Sequence, residues 1–259
     1  MRGWMLRFLG VGNAAAVELG SAMACIERDG APWLAIDCGG EGLTAYMARY
    51  GEPPRALFIT HTHLDHIAGF ERVFVESYFN RQWRGRVRVY VPAKLVPLLH
   101  ARVADYPNAL AEGGANFWDA FQLVPVGDAF WHDGVRLEVF GVRHHWPDTA
   151  FGLRLRGSMV WTGDTRPIPE VLAMAAGEGE LVAHDCALHG NPSHTGVEDL
   201  EREYPRGLLE RCLLYHYANA ADGEALRARG HRVAHAGDGV PLREPTAPRQ
   251  PAPGFDANP

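Results

Sequence analysis

The chain has 259 residues, 47% hydrophobic and 22% charged, with a net charge of −6 when histidine is counted neutral. These values argue against a disordered chain, a membrane protein and a broad polyanion-binding surface, and the length suits one domain with a sizeable core. Four scattered cysteines with no C-x-x-C pair argue against a disulfide framework or a thiolate zinc site.

The N-terminal "MRGWMLRFLGVG" is apolar but broken by Arg7 and glycines, unlike a signal peptide, so a cytoplasmic location with reduced core cysteines is expected. "LRFLGVG" and "AMACIER" are patterned as strands, and Asp29-Gly30 marks a hairpin turn before "PWLAIDCGG". A helix over about 41–50 ends near Gly51, and Pro53-Pro54 forces an extended entry into the strand "RALFIT". Where that strand stops, "HTHLDH" begins at His61, and the apolar spacing after it predicts a helix. The motif therefore occupies a strand-to-helix loop. Next come the strand "RVRVYVP", a helix around 93–102, "QLVPV", a turn at 132–134 and a long strand "VRLEVFGVRHH" ending in His144 and His145. "FGLRLRG" and "SMVWTGDT" predict a hairpin, followed by a helix near 169–176. "ELVAHDC", a helix over 197–203, "CLLYH", a helix over 221–229 and the strand "HRVAHAG" complete an α/β layered domain over residues 1–240. The proline-rich tail 241–259 lacks apolar periodicity and is given no catalytic role.

Thirteen histidines exceed what packing alone needs, and the predicted strands keep ending in His or Asp. Imidazole nitrogen together with carboxylate oxygen suits zinc and other borderline divalent ions. His61 and His63, at alternate positions, point one way; Asp65 and His66, carried onto a first helical turn, point another. Four ligands in one motif already exceed what one catalytic ion takes, so two ions are expected, and with them further ligands at later strand ends. His144 or His145, Asp164 in "WTGDT" and His216 after "CLLY" meet that need. A carboxylate from Asp164 would bridge ions about 3.5 to 4 Å apart.

"HTHLDH", a later strand-end His, "TGDT" and "LLYH", in this order, resemble the metallo-β-lactamase superfamily over residues 8 to about 240. The resemblance implies a four-layer αβ/βα sandwich with two mixed sheets flanked by helices and a dinuclear site at its open edge. It implies that His61, His63 and His145 bind one ion, that Asp65, His66 and His216 bind the other, and that Asp164 binds both. His145 is preferred to His144 because its spacing to "FGLRL" is similar to the family's, and adjacent strand residues face opposite ways, so only one of the pair faces the metals. "AHDCALHGNPSHTGVEDL" resembles the acidic and "H-S-T" elements of the ribonuclease Z and small cyclic phosphodiesterase branch, with Asp185 at the acidic position and His194 in "SHT". The 18 residues between His145 and Asp164 leave no room for the long tRNA-clamping arm of ribonuclease Z, so precursor tRNA is a poor substrate.

The expected activity is hydrolysis of a small or cyclic phosphodiester at a dinuclear centre, with zinc the first choice of metal and manganese or iron compatible. Asp65 would orient the nucleophile, and His194, its pKa raised by Asp185, would protonate the leaving oxygen. A lactonase or other ester hydrolase on the same centre is the enzymatic rival, and a metal-stabilised binding module the non-catalytic one. The expected partner is a small-molecule phosphodiester, with no membrane and no extended nucleic acid; a homodimer is allowed. His100, His132, His184, His189, His231 and His235 are assigned to packing, ligand support or the surface. Arg81, Arg84, Arg86 and Arg88 around Trp83 read as a charged strand edge, with a phosphate or base grip as the alternative.

Overall fold

The computed structural model describes residues 3–104 and 115–246. Among these, one sheet comprises β1 (Trp4–Gly10), β2 (Met23–Arg28), β3 (Ala31–Ile36), β4 (Ala56–Phe58), β5 (Val87–Pro92), β6 (Phe121–Val126) and β13 (Gly239–Leu242), in the order β13-β1-β2-β3-β4-β5-β6. The other comprises β7 (Ala129–His132), β8 (Val135–Gly141), β9 (Phe151–Leu155), β10 (Met159–Trp161), β11 (Leu181–Asp185) and β12 (Cys212–Tyr215), in the order β12-β11-β10-β9-β8-β7. Helices α1 (Gly40–Tyr50), α2 (Leu64–Ile67), α3 (Phe70–Tyr78) and α4 (Val96–Val103) follow strands of the first sheet, and α5 (Pro169–Ala175), α6 (Val197–Glu203), α7 (Arg206–Leu209) and α8 (Ala220–Ala228) follow strands of the second.

Period-two alternation explains the layering. In β3 and β4, Leu34, Ile36 and Phe58 face a core shared with Leu137, Leu153 and Trp161 of the other sheet. The intervening Ala35 and Leu57 join Leu43, Phe70 and Phe74 from α1 and α3 on the outer side. A slip of one residue would exchange the two faces, so burial on both sides fixes the register. On the far layer Leu172, Leu200 and Leu226 of α5, α6 and α8 extend the inter-sheet core. Phe58 is fully buried, and its truncation to Ala would cost about 3–5 kcal/mol. The sandwich of two mixed sheets between helices agrees with the expectation, as do the buried, unbonded cysteines Cys25, Cys38, Cys186 and Cys212.

Local signals hold in several places. Asp29 and Gly30 both have positive φ, 55° and 83°, as the tight hairpin between β2 and β3 requires. α1 stops at Gly51, whose φ of 74° lets its N–H bond back to the Met47 carbonyl. Three segments differ from expectation. The helix after "HTHLDH" is split into α2 and α3 at Gly69, which packs so closely on the Cys38 backbone that a side chain there would clash. β8 ends at Gly141, short of the histidine pair. "HRVAHAG" forms only an isolated bridge from Val233 to Leu214. The first residues of the proline-rich segment, Pro241 and Leu242, belong to β13, which pairs antiparallel with β1; residues 247–259 lie outside the described residues. No described helix is long and apolar enough to cross a membrane.

Candidate metal centre

The strand ends converge at one edge of the sandwich. β4 runs out into Thr60 and His61, and a bridge from His61 to Ala150 ties this loop to the start of β9 in the other sheet. The His216 N–H bonds to the Val11 carbonyl at 2.6 Å, joining the end of β12 to the first sheet. Gly163, with φ 65°, turns the chain after β10 and precedes Asp164. Asp37 and His216 also hold left-handed backbone, φ 65° and 72°, at ends of β3 and β12, a strained conformation that clusters at functional sites.

Asp164 lies at the middle. Its Oδ2 is 3.3 Å from Nε2 of both His66 and His216, 3.5 Å from Nε2 of His61 and 3.9 Å from Nε2 of His144. Nδ1 of His63 is 3.1 Å from Nε2 of His144, and Asp65 Oδ2 stands 3.5 and 3.6 Å from Nε2 of His66 and His216. Two ligand sets share Asp164: His61, His63 and His144 on one side, Asp65, His66 and His216 on the other, with the donor atoms of each set within 4.8 Å of one another. Nε2 of His61, His66 and His216 and both oxygens of Asp164 are buried without a hydrogen-bond partner. Buried polar atoms are ordinarily paired. Imidazole nitrogens and a carboxylate left open toward one point fit divalent cations, and among the described residues no Lys or Arg is paired with Asp164.

In four of the five rings the opposite nitrogen is occupied. His66 Nδ1 meets Asp37 Oδ2 at 2.8 Å, His61 Nδ1 meets Thr60 Oγ1 at 3.0 Å, His144 Nδ1 meets the Ser193 carbonyl at 2.9 Å, and His216 Nδ1 stands 3.3 Å from Asp185 Oδ1. Such partners fix ring orientation and leave Nε2 as the free donor. Thr60 itself is anchored by its N–H and hydroxyl on Asp37, at 2.8 Å each. Burial and the neighbouring His66 hold the His61 imidazole well below its ordinary pKa. For His66 burial acts the same way, but Asp164 and Asp37 override it and push the pKa well up. His216 likewise rises to about 10 against burial, through Asp164 and Asp185.

The histidine pair after β8 resolves differently from the expected choice. His144 is buried and enters the cluster; His145 is exposed and does not. The expected alternation presumed a strand, whereas β8 has ended, and the left-handed backbone of His145, φ 57°, turns its side chain out to rest edge-on to the rings of His63 and His144. Asp185 and His194 do join the site: His194 Nδ1 is 2.9 Å from Asp185 Oδ2 and 4.0 Å from Asp164 Oδ2. Burial alone would lower the His194 pKa, and Asp185 raises it. With Asp164 and His216 these two residues make a third grouping of ligand type.

The arginines of "RQWRGRVRV" stand elsewhere. Arg86 and Arg88 line a hollow with Arg55 where β4 and β5 begin, at the end of those strands opposite the histidines, and Arg84 lies over the Tyr78 ring at 4.0 Å. Among the other histidines, His184 is tied to Tyr204 and the Asp185 carbonyl, and His132 to Tyr90 and the Trp33 carbonyl. Asp37, Thr60 and Ser193 were not singled out from sequence. Asp37 did carry a signal, an acidic residue at the end of "PWLAID" in the same position as the other strand-end ligands.

The family model for anti-Pycsar protein Apyc1 matches residues 4–238. The chain is 26% identical over 225 residues to the anti-Pycsar protein Apyc1 of Paenibacillus xerothermodurans, covering 82% of this chain and 87% of that protein. It is 26% identical over 232 residues to ribonuclease Z of Mycobacterium sp. (strain KMS), covering 80% and 74%. A solved diphosphatase from the PhnP family superposes with a TM-score of 0.71 at 18% identity, covering 93% of this chain and 99% of that one. Two mixed sheets between helices, a His/Asp cluster at their shared edge and a match over nearly the whole domain converge: this chain belongs to the anti-Pycsar protein Apyc1 family and is a metal-dependent phosphodiesterase of the metallo-β-lactamase fold.

Proposed function

We propose that the centre is dinuclear, with zinc as its first-choice metal, and that it opens the phosphodiester of a small cyclic nucleotide to a phosphomonoester. His61, His63 and His144 would hold one ion, Asp65, His66 and His216 the second, and Asp164 both. When bound, such ions supply an activated water at neutral pH and Lewis acidity toward the phosphoryl oxygens. The observation that carries this proposal is the set of buried, unpartnered Nε2 atoms on His61, His66 and His216 around the unpartnered carboxylate of Asp164.

The chain's own groups divide the remaining work. Asp65, 12% exposed where the other members of its set are sealed, accepts a hydrogen bond from the attacking water and orients it. Asp185 draws the Nδ1 sides of both His194 and His216 toward itself. Asp185 thereby raises the His194 pKa and favours its protonated form, and its 20% exposed side chain can deliver a proton from Nε2 to the departing ribose oxygen. One P–O bond forms to water, one breaks to the ribose, and the proton lost from His194 is regained from the water.

The test is metal analysis of the reconstituted chain beside turnover of 3′,5′-cyclic nucleotides and a lactone panel. Two ions per chain with cyclic nucleotide hydrolysis is expected. A single ion, or lactone turnover without phosphodiester turnover, would overturn it. His194→Ala should lower kcat on order of 100-fold on a poor leaving group while metal content stays unchanged.

A further inference from the structure

Arginines gather at the end of the sandwich away from the histidines. Ala56 of β4 pairs with Arg88 of β5, and Arg88 with Gln122 of β6, so one row crosses three parallel strands near their starts. That row lies on the face that carries Phe58 and Tyr90 into the inter-sheet core. β7 of the other sheet brings His132 to the same place, buried and held between the Tyr90 hydroxyl at 3.0 Å and the Trp33 carbonyl at 2.9 Å. A hollow of about 530 Å³ opens there, walled by Arg55, Arg86, Arg88, Trp33, Gln122 and Asp133. A second hollow of about 380 Å³, with Trp83 in its wall, shares Arg55 and Arg86 with the first. Both volumes suit small-molecule ligands.

Protection of a sheet edge does not account for these charges. β4 and β5 are interior strands, in the order β3-β4-β5-β6, and have no free edge to guard. Pairing within the chain does not account for them either. Arg55 Nη2 meets Glu52 and Arg88 Nη1 meets Asp133, each at 3.1 Å, and both pairs are open to solvent and therefore weak. The Arg86 guanidinium has no ion pair or hydrogen bond among the described residues, and Trp33 Nε1 is buried without a partner. The larger hollow sets three guanidiniums against one carboxylate, in a chain whose net charge is −6. Guanidinium forks match the oxygens of carboxylates and phosphates. A carboxylate or a phosphodiester answers one of these charges, whereas a phosphomonoester, at about −1.5 to −2 near neutral pH, answers most of the excess. A long polyanion would meet the carboxylates of Glu52 and Asp133 beside the same arginines. We propose that this hollow is a second ligand site, for the dianionic phosphate of a small phosphomonoester or free phosphate, with Arg86 the principal donor and Arg55 and Arg88 at its flanks.

NMR titration of the metal-loaded chain, read at its indole N–H signals, follows this hollow apart from the metals and independently of any turnover. Trp33→Phe and Trp83→Phe identify the two signals that belong to it. Methyl phosphate should shift the Trp33 or Trp83 signal saturably, and dimethyl phosphate, a monoanion of similar size, should bind about tenfold more weakly or worse. Arg86→Ala should weaken methyl phosphate about tenfold while metal content and Tm stay unchanged, and Arg86→Lys, which keeps the charge without the fork, should fall between. Inorganic phosphate and 5′-AMP then separate the two sources. Tighter binding of 5′-AMP marks an organic phosphomonoester as the ligand, and equal affinity marks phosphate itself. No saturable shift of either indole at millimolar ligand, equal binding of the two methyl esters, or an Arg86→Ala chain that titrates like the wild type would overturn the site.

Discussion

Arg154 and Glu180 are nearly as buried as Asp164 and His66, at 8% and 2% exposure against 1% and 0%, yet their atoms are engaged where those of the metal centre are open. Glu180 takes Arg154 Nη2 at 2.8 Å and Nε at 3.0 Å, and also the backbone N–H groups of Gly157 at 2.6 Å and Gly177 at 2.8 Å. Arg154 Nη1 goes on to Glu138 at 3.0 Å. Desolvating charge is costly, and here opposite charge and backbone donors offset it within the chain. At the histidine cluster the carboxylates of Asp37, Asp65, Asp164 and Asp185 face imidazoles that carry no permanent charge, and the orphaned Nε2 atoms collect on one side. The first cluster is complete as a fold element; the second is complete only with cations supplied from outside. Burial of charge alone does not mark a site, whereas burial with unanswered atoms does.

The sharpest way to break this distinction is to remove the shared carboxylate. Asp164→Asn should lower phosphodiester turnover on the order of 1,000-fold or more, about 4 kcal/mol of transition-state stabilisation, and reduce bound metal below that of the wild type. Turnover within tenfold of wild type would mean that Asp164 is a structural aspartate like its counterpart Glu180 a structural glutamate. The converse substitution, Glu180→Ala, leaves buried Arg154 only its Glu138 bond and strips the Gly157 and Gly177 N–H groups of their acceptor, and should cost about 3–5 kcal/mol of stability. In a chain of this size that corresponds to a fall in Tm of about 10 °C, read by calorimetry, with metal content unchanged. Loss of metal in Glu180→Ala would show that the two clusters are not independent.

Asp37→Asn tests the supporting shell at smaller scale. Asp37 holds His66 through Nδ1 and Thr60 through two bonds, so it orients two imidazoles. Metal affinity should fall about 10–100-fold, measured by competition with a chromophoric chelator, with smaller losses in kcat at saturating metal. An affinity unchanged within twofold would remove Asp37 from the centre.

How much of this was legible beforehand follows from how local each signal is. The strands, the hairpin at Asp29-Gly30 and the ligand motif after β4 are written in a few adjacent residues, and the order of His and Asp at later strand ends carried the architecture. His144 was passed over because choosing between neighbours needs the backbone dihedral of His145, which depends on where β8 gives out and on bonds from Thr149 Oγ1 to the His144 and Trp146 carbonyls. Asp37 escaped for a related reason: it is 29 residues from the ring it holds, and its left-handed backbone, φ 65°, accompanies bonds from its own N–H to Phe58 and from the Cys38 N–H to His66 that only the folded chain assembles. The Arg154–Glu180 cluster was not anticipated either, since a strand arginine reads as surface until the neighbouring carboxylates are placed around it.

The comparison has a final consequence in pH, because protons are the cations that the centre can recruit when metal is missing. In the metal-free chain His66 lies well above its ordinary pKa and His216 near 10, both raised by facing carboxylates. A raised folded-state pKa stabilises the fold below the unfolded value of about 6.5 and loses that contribution as pH climbs through the folded value. The metal-free chain should therefore weaken between about pH 7 and 10 as these two protons leave. Metal binding runs oppositely, since His66 and His216 must shed their protons to ligate, and affinity should rise by up to about tenfold per pH unit for each proton displaced. The gap in Tm between loaded and metal-free chain should thus widen from pH 7 to 10, and titration in buffers of different ionisation enthalpy should report proton release. A gap that narrows over this range, or binding without proton release, would mean that protons and metal do not compete for the same atoms. The arginine-locked cluster, with its charges already answered, should leave no comparable trace.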